Sequence, residues 1–518
     1  MPEPHEPIDP TGEVFVEADD APTTPDETPE RRGALRTATV ISGRVVLGCV
    51  ALIAIAAVVG AAILLPLPSV RSAAVSTVVT PVPTTRQLVC PGGLLRLASA
   101  SGKGATTVSA IGTPRIVSSA QPGTVLASAF TATDAGTANG SAAPQLLSTP
   151  AIAAGTLPPL LAGAQSETIN TDEFAGLSTA ECTAPSGSTW LAGGATSVGR
   201  TTLILLANPT DVPAVVSVQV FGEAGQVTAP GMEGIAVGAG AQRVVSLAGF
   251  APNLVSPVLH VQSTGGQVVA TLEQSTVRGI TPGGIDFVGS TPAPALTTVL
   301  PGVVVTGTEA TQALQGQTGY DDLQTTLRVY LPSAKPTTAS ITVLAENGTV
   351  TGKPITADLQ PGSVTDLPLD QLSDGDYTVI VTSAVPVLAS VRVSTAAGPT
   401  AVKPAAAGDT DFAWITPAAL LTTSVLVPVA SGMTAALHVE NPTSTAATVT
   451  LHALSGPDIT KTVGAHKAVS IPVLAGHTYR LTGFRELYAS VSGVGSARVT
   501  SYGISPLARG EGPIRVYG

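Results

Sequence analysis

The sequence predicts an all-β ectodomain, tandem immunoglobulin-like β-sandwiches carried by a single transmembrane helix, and three observations predict it. Residues 45–65 contain no charged side chain and follow a basic flank. Beyond them, apolar residues recur with period two in short runs bounded by Gly, Pro, Asn and Ser, with no long 3.6-period amphipathic segment. The same runs then reappear at a spacing of about 110 to 125 residues, which suits a sandwich of some seven strands better than a shorter propeller blade.

Composition sets the outer limits. A chain of 518 residues exceeds a single core, and 11% charged residues is well under the usual share of about 25%. Its surface must therefore be neutral and rich in hydroxyls. The net charge of −11 excludes a nucleic-acid partner, because neutralising phosphates needs clustered Lys and Arg.

Residues 1–44 open with acids and prolines, including Glu3, Asp19, Asp20 and Glu30, and end with Arg31, Arg32, Arg36 and Arg44. So little apolar surface predicts a disordered tail with a basic juxtamembrane flank. At 1.5 Å per residue, the 45–65 stretch is long enough to cross a bilayer core of about 30 Å. Arginines on its N-terminal side place the tail in the cytoplasm and everything after the 66–78 linker outside. The lipid bilayer is then a partner. A cleaved signal peptide ending near Ser72-Ala73-Ala74 and a twin-arginine export signal are the competing readings.

Outside the membrane only Cys90 and Cys182 remain, and an oxidising compartment makes one disulfide their natural pairing, against two separate buried thiols. Residues 79–185 read as a degenerate β unit stapled by that bridge, or else as a Gly- and Ser-rich stalk. Three repeats follow, at 186–282, 283–408 and 409–518. Asn208-Pro209-Thr210 and Asn441-Pro442-Thr443 head the best-matched segments, and Asp286-Phe287 matches Asp411-Phe412. In Asn-Pro the proline stops a strand ladder while the asparagine tolerates the turn. Trp190 and Trp414 each precede an Asn-Pro element and are expected to fill a core. Tyr377 and Tyr479, each just after a turn, resemble the tyrosine corner of Greek-key sandwiches.

The order of these elements resembles one family. Cys90-Pro91-Gly92-Gly93, Glu181-Cys182, Trp190-Leu191-Ala192-Gly193-Gly194, Gly199-Arg200 and Leu206-Ala207-Asn208-Pro209-Thr210, all after a membrane segment, look like the actinobacterial domain of unknown function 5719 family. The resemblance implies an anchored secreted protein near envelope polysaccharide assembly. It supplies no functional residue to carry over.

No metal-protease, dithiol, nucleophile-elbow, phosphate-loop or dinucleotide motif is present, so no catalytic, cofactor or metal residue is assigned. His438, His452, His466 and His477 crowd the last repeat without local ligand spacing and read as exposed strand and turn residues rather than zinc ligands. Asp374 and Asp376 read as turn residues rather than a calcium loop, and Tyr320-Asp321-Asp322 as a solvated loop. Asn139 and Asn347 begin glycosylation sequons that equally suit hairpin turns. The expected function is a non-enzymatic, single-pass extracytoplasmic scaffold that binds an envelope protein or glycan. The alternatives are an accessory factor for polysaccharide or peptidoglycan assembly, and a secreted hydrolase.

Overall fold

Ala214–Gly222 shows how the sequence builds this molecule. Ala214, Val216, Val218 and Val220 point into a core while Val215 and Gln219 face water, the two-residue period of a strand with one wet side. Thr337–Ala345 and Ala447–Ala453 repeat the pattern, burying Ala339, Ile341 and Val343 in one case and Val449 and Leu451 in the other. The structure, a computed structural model, describes residues 48–57, 76–79, 85–97, 108–134, 142–151, 159–347, 353–369, 371–397, 409–506 and 514–517.

Each repeat has eight strand positions joined in one order. In the first repeat, Ser188–Ala192, Val258–Gly265, Ala214–Gly222 and Ile235–Val237 form one sheet, which reads 1-6-3-4 by position. Thr281–Val288, Val269–Arg278, Arg200–Asn208 and Ala241–Ser246 form the other, 8-7-2-5. The third repeat has the same order. Val425–Pro428, Thr478–Thr482, Ala447–Ala453 and Ile459–Val463 lie in one sheet, and Arg498–Gly503, Tyr488–Gly495, Thr434–Asn441 and Lys467–Val473 in the other. In the second repeat, positions 6 and 7 are one strand, Gly375–Ala396. Its first half joins Ala295–Val305, Thr337–Ala345 and Ile355–Leu359, and its second half joins Thr410–Ile415, Thr326–Tyr330 and Val364–Pro368. In every repeat the two sheets share a single core.

Two expectations change. Thr281–Val288 bonds to the strand before it, as does Thr410–Ile415, so repeats close after residues 288 and 415 rather than 282 and 408. The recurring Asp-Phe marks the last strand of one repeat, not the first of the next. Positions 2 and 5, and 3 and 6, are neighbours as in an immunoglobulin-like sandwich, but the first and seventh strands have exchanged sheets.

The segment before the repeats is no stalk. Arg86–Cys90, Gln145–Thr149 and Leu126–Ala129 give the order 1-6-3, and Ala175–Glu181, Leu160–Asn170 and Arg115–Gln121 give 8-7-2. It is the same unit without described fourth and fifth strands. The eighth strands of all four units, Ala175–Glu181, Thr281–Val288, Thr410–Ile415 and Arg498–Gly503, pack each on the next and the last on the first. Four units thus close into a ring, and Val78–Ile514 forms one compact body.

Residues 48–57 are helical with exposed side chains. Among the described residues no helix is long and apolar enough to cross a membrane. The acidic tail and the rest of the 45–65 stretch lie outside the described residues, as does Asn139.

Candidate functional site

A ring of eighth strands puts side chains from four units in one place, and here they are polar. Asp286 accepts from the Trp414 backbone N–H (2.9 Å) and the Ser178 hydroxyl (3.2 Å), and Asp411 accepts from the Leu177 N–H (2.9 Å). Thr500 accepts from the Thr179 N–H (3.0 Å). All of these side chains are buried. Burial pushes Asp411 up to about 7 and Asp286 well above the usual carboxylate range, with the two acids reinforcing each other at Asp286. The backbone approaches so closely that a Cβ at Gly284, which has φ +117, would lie 2.5 Å from the Phe412 ring.

A second buried constellation joins the second and third repeats. His438 Nδ1 lies 2.5 Å from Glu346 Oε2, and His438 Nε2 lies 2.6 Å from Ser492 Oγ. Thr378 and the Gly302 N–H donate to the other Glu346 oxygen. Burial alone would lower the His438 imidazole, but the Glu346 carboxylate outweighs it and raises it; Glu346 is lowered in turn by His438. Each partner thus favours the charged form of the other. Serine, histidine and carboxylate stand in the order used by nucleophilic hydrolases, yet His438 and Glu346 are 0% exposed. None of these three side chains lines the four clefts formed around Glu181, Arg328, Thr298 and Arg278. Glu346, Asp376 and His438 also bring their ligand atoms within 4.8 Å of one another, a set that could hold a cation.

The third constellation lines open space between the first and second repeats. Asp322, in the short turn Asp321–Leu323, lies 2.6 Å from Arg278, 2.8 Å from Arg200 and 3.4 Å from Arg392. Burial would raise its carboxyl, but Arg392, Arg278 and Arg200 hold it far below the usual range. Arg328 is gripped by Asp366 through two bonds of 2.9 and 3.0 Å, donates to the carbonyls of Gly194, Val255 and Pro257, and lies 4.7 Å over the Trp414 ring. Arg200, Arg328, Arg392, Asp322 and Trp414 line a cleft of about 780 Å³. A wider one of about 1220 Å³ adjoins it through Val198 and Arg200.

Residues singled out in the sequence have structural roles. Cys90 and Cys182 are bonded to each other. Asn208 and Asn441 are both fully buried, and their amides perform one job twice. Asn208 Nδ2 donates to the carbonyls of Val212 and Val237, and Asn441 Nδ2 to those of Thr445, Val463 and Gly464. Each side-chain oxygen accepts from the threonine beyond Pro209 or Pro442. Tyr377 donates to the Ser373 carbonyl, and Tyr479 accepts from the Leu474 N–H, so both hydroxyls tie down the connecting backbone. Trp414 fills the core of the first repeat from the closing strand of the second. Trp190 is only partly buried, stacked on His260 with ring centroids 4.0 Å apart.

Three readings are corrected. His438 is fully buried and paired, unlike the exposed His452, which bonds Asp458. Asp322 is the hub of three arginines rather than a solvated residue. Asp374 accepts from the Gly307 and Thr308 N–H groups and the Thr308 hydroxyl, so it caps the helix Thr308–Gln315 from another part of the chain. A usable signal existed for two of the arginines. Arg328 and Arg392 sit in stretches otherwise apolar or hydroxyl, Thr326–Tyr330 and the second half of Gly375–Ala396, where an unpaired charge cannot stay, whereas Arg200 and Arg278 lie at strand ends and gave no such signal.

Comparison with known proteins adds a family and little else. A family model described as "Family of unknown function (DUF5719)" matches residues 134–482. No curated protein matches the chain. Among solved structures, the "Crystal Structure of Thermotoga maritima 1070" is 21% identical with a TM-score of 0.15, over 20% of this chain and 82% of that one.

Proposed function

The chain belongs to the DUF5719 family of unknown function, and on that premise we propose that it is a non-enzymatic scaffold of the cell envelope. In this reading residues 45–65 cross the membrane, the N-terminus is cytoplasmic, and the ring stands outside to bind an envelope partner. The observation that carries it is the set of edges the ring leaves free. Ile235–Val237, Ile355–Leu359 and Ile459–Val463, the fourth strands of the three repeats, end their sheets, and the latter two do so with side chains mostly in water. Such edges accept an added strand from a partner. The burial of Ser492, His438 and Glu346 supports the non-enzymatic side of the reading against the hydrolase.

The accessory-factor reading, with direct glycan contact, draws support from the polar cleft rather than from aromatic stacking. Trp190 is covered by His260, and Trp414 is buried beneath Arg328. A photo-crosslinker placed at Thr356 or Thr460 in native membranes tests the scaffold. The same neighbouring protein should be captured from both sites and not from Gln262, an inner-strand residue. Capture of nothing but lipid, or equal capture from Gln262, overturns it. Labelling from outside the cell at an engineered Asp20→Cys would overturn the topology.

A further inference from the structure

We infer that the cleft between the first and second repeats binds a sugar acid, a ligand with a carboxylate at one end and hydroxyls on the rest. Its volume of about 780 Å³ falls in the range of small-molecule sites. Charge is sorted by depth along its wall. The deeper arginines, Arg328 and Arg392, have side chains only 4% and 9% exposed. Arg328 is matched by Asp366, but Arg200, Arg278 and Arg392 share the single carboxylate of Asp322. Arg278 faces the adjoining cleft, but Arg200 and Arg392 line this one, and with Asp322 shared three ways they leave positive charge on its wall that this carboxylate does not balance, which is costly where water is scarce.

Arg392 carries that imbalance most plainly. It lines the cleft, is 8% exposed as a residue, stacks over Phe412, and its Nε has no hydrogen-bond partner. A planar carboxylate is the anion that guanidinium groups recognise best. Acids occupy the outer wall instead. Glu223 and Asp321 are exposed at the mouth, and only one Glu223 oxygen is engaged, by the Ser256 N–H. Carboxylates at the mouth accept from hydroxyls and repel a second anion, so one end of the ligand is acidic and the remainder neutral. A uronate residue has that form.

This inference goes beyond the scaffold reading and does not rest on it, since the crosslinking can fail while binding persists. The test is calorimetric titration of the full-length protein with glucuronate, glucose and inorganic phosphate. Glucuronate should bind saturably and at least tenfold more tightly than either of the others. Arg200→Gln removes one guanidinium at a partly exposed position and should weaken glucuronate at least tenfold. Ser197→Trp fills the cleft while leaving every arginine in the sequence and should abolish binding while thermal melting shows the fold intact. Equal affinity for glucose or phosphate, no glucuronate binding by the wild type, or wild-type binding by both variants overturns the assignment.

Discussion

At Asn441 one amide serves three carbonyls and one threonine, and Asn208, two repeat periods earlier, repeats the arrangement with two carbonyls. Replacing either by Ala orphans buried carbonyls, and unsatisfied buried groups cost about 1 to 3 kcal/mol each. Asn441→Ala should therefore lose about 2 to 4 kcal/mol in urea unfolding, and Thr443→Ala about 1 kcal/mol; an unchanged midpoint for Asn441→Ala would refute this. The sequence displayed this motif and its turn, because Asn before Pro and Thr has few other uses. What it hid was the reach of the amide to Val463, 22 residues on, since spacing along a chain does not report distance in space. The same limit concealed His438 and Asp322. A histidine in an alternating strand looks alike whether its side of the strand meets water or another unit. Here His438→Ala should cost about 3 to 5 kcal/mol by leaving Glu346 charged and alone, as removal of one partner from a buried pair does. Recovery of that loss in the double variant with Glu346→Gln would separate pairing from packing.

Strands were the legible elements. Alternation located those of the repeats, including both halves of Gly375–Ala396, and turn residues bounded them. Ownership of the eighth strand was not legible, because its Asp-Phe signature looks the same whether it closes one unit or opens another. The N-terminal unit shows what a reduced element set requires. Without described fourth and fifth strands, it is cross-linked from the end of its first strand to the residue after its eighth, across a separation of 92 residues. Chain entropy assigns such a bridge about 4 to 5 kcal/mol. The Cys90→Ser, Cys182→Ser double variant should lose most of that. Hydrogen exchange should show Arg115–Gln121 and Leu160–Asn170 losing protection before the third repeat does; uniform loss would argue that the bridge serves the whole ring.

For the whole molecule, the unusual feature is how much acid it hides. Burial raises Glu167, Asp411 and Glu440 to about 7, and raises Glu273 and Asp286 well above their ordinary values. A carboxyl raised on folding binds more protons in the folded chain than in the unfolded one. Stability therefore falls as pH climbs from about 4 towards 7. Glu346 and Asp322 are lowered and act oppositely, losing their contribution only in more acidic solution. The melting temperature should rise as pH drops from 8 to about 5.5 and fall again below about 4. A flat or rising profile between 5.5 and 8 would contradict the burial of these acids. None of this could be read from a net charge of −11, which counts acids without saying which ones are dry.

Closing a circle has a cost in freedom that an open stack escapes. Solenoids lengthen by adding copies at an end, because each copy touches only its neighbours. In this wheel the last spoke already leans on the first, through Thr500 and Thr179. A fifth spoke would have to pry that hub apart and strand Asp286 and Asp411 in the gap. The closed hub has no free end at which a further copy could be stacked.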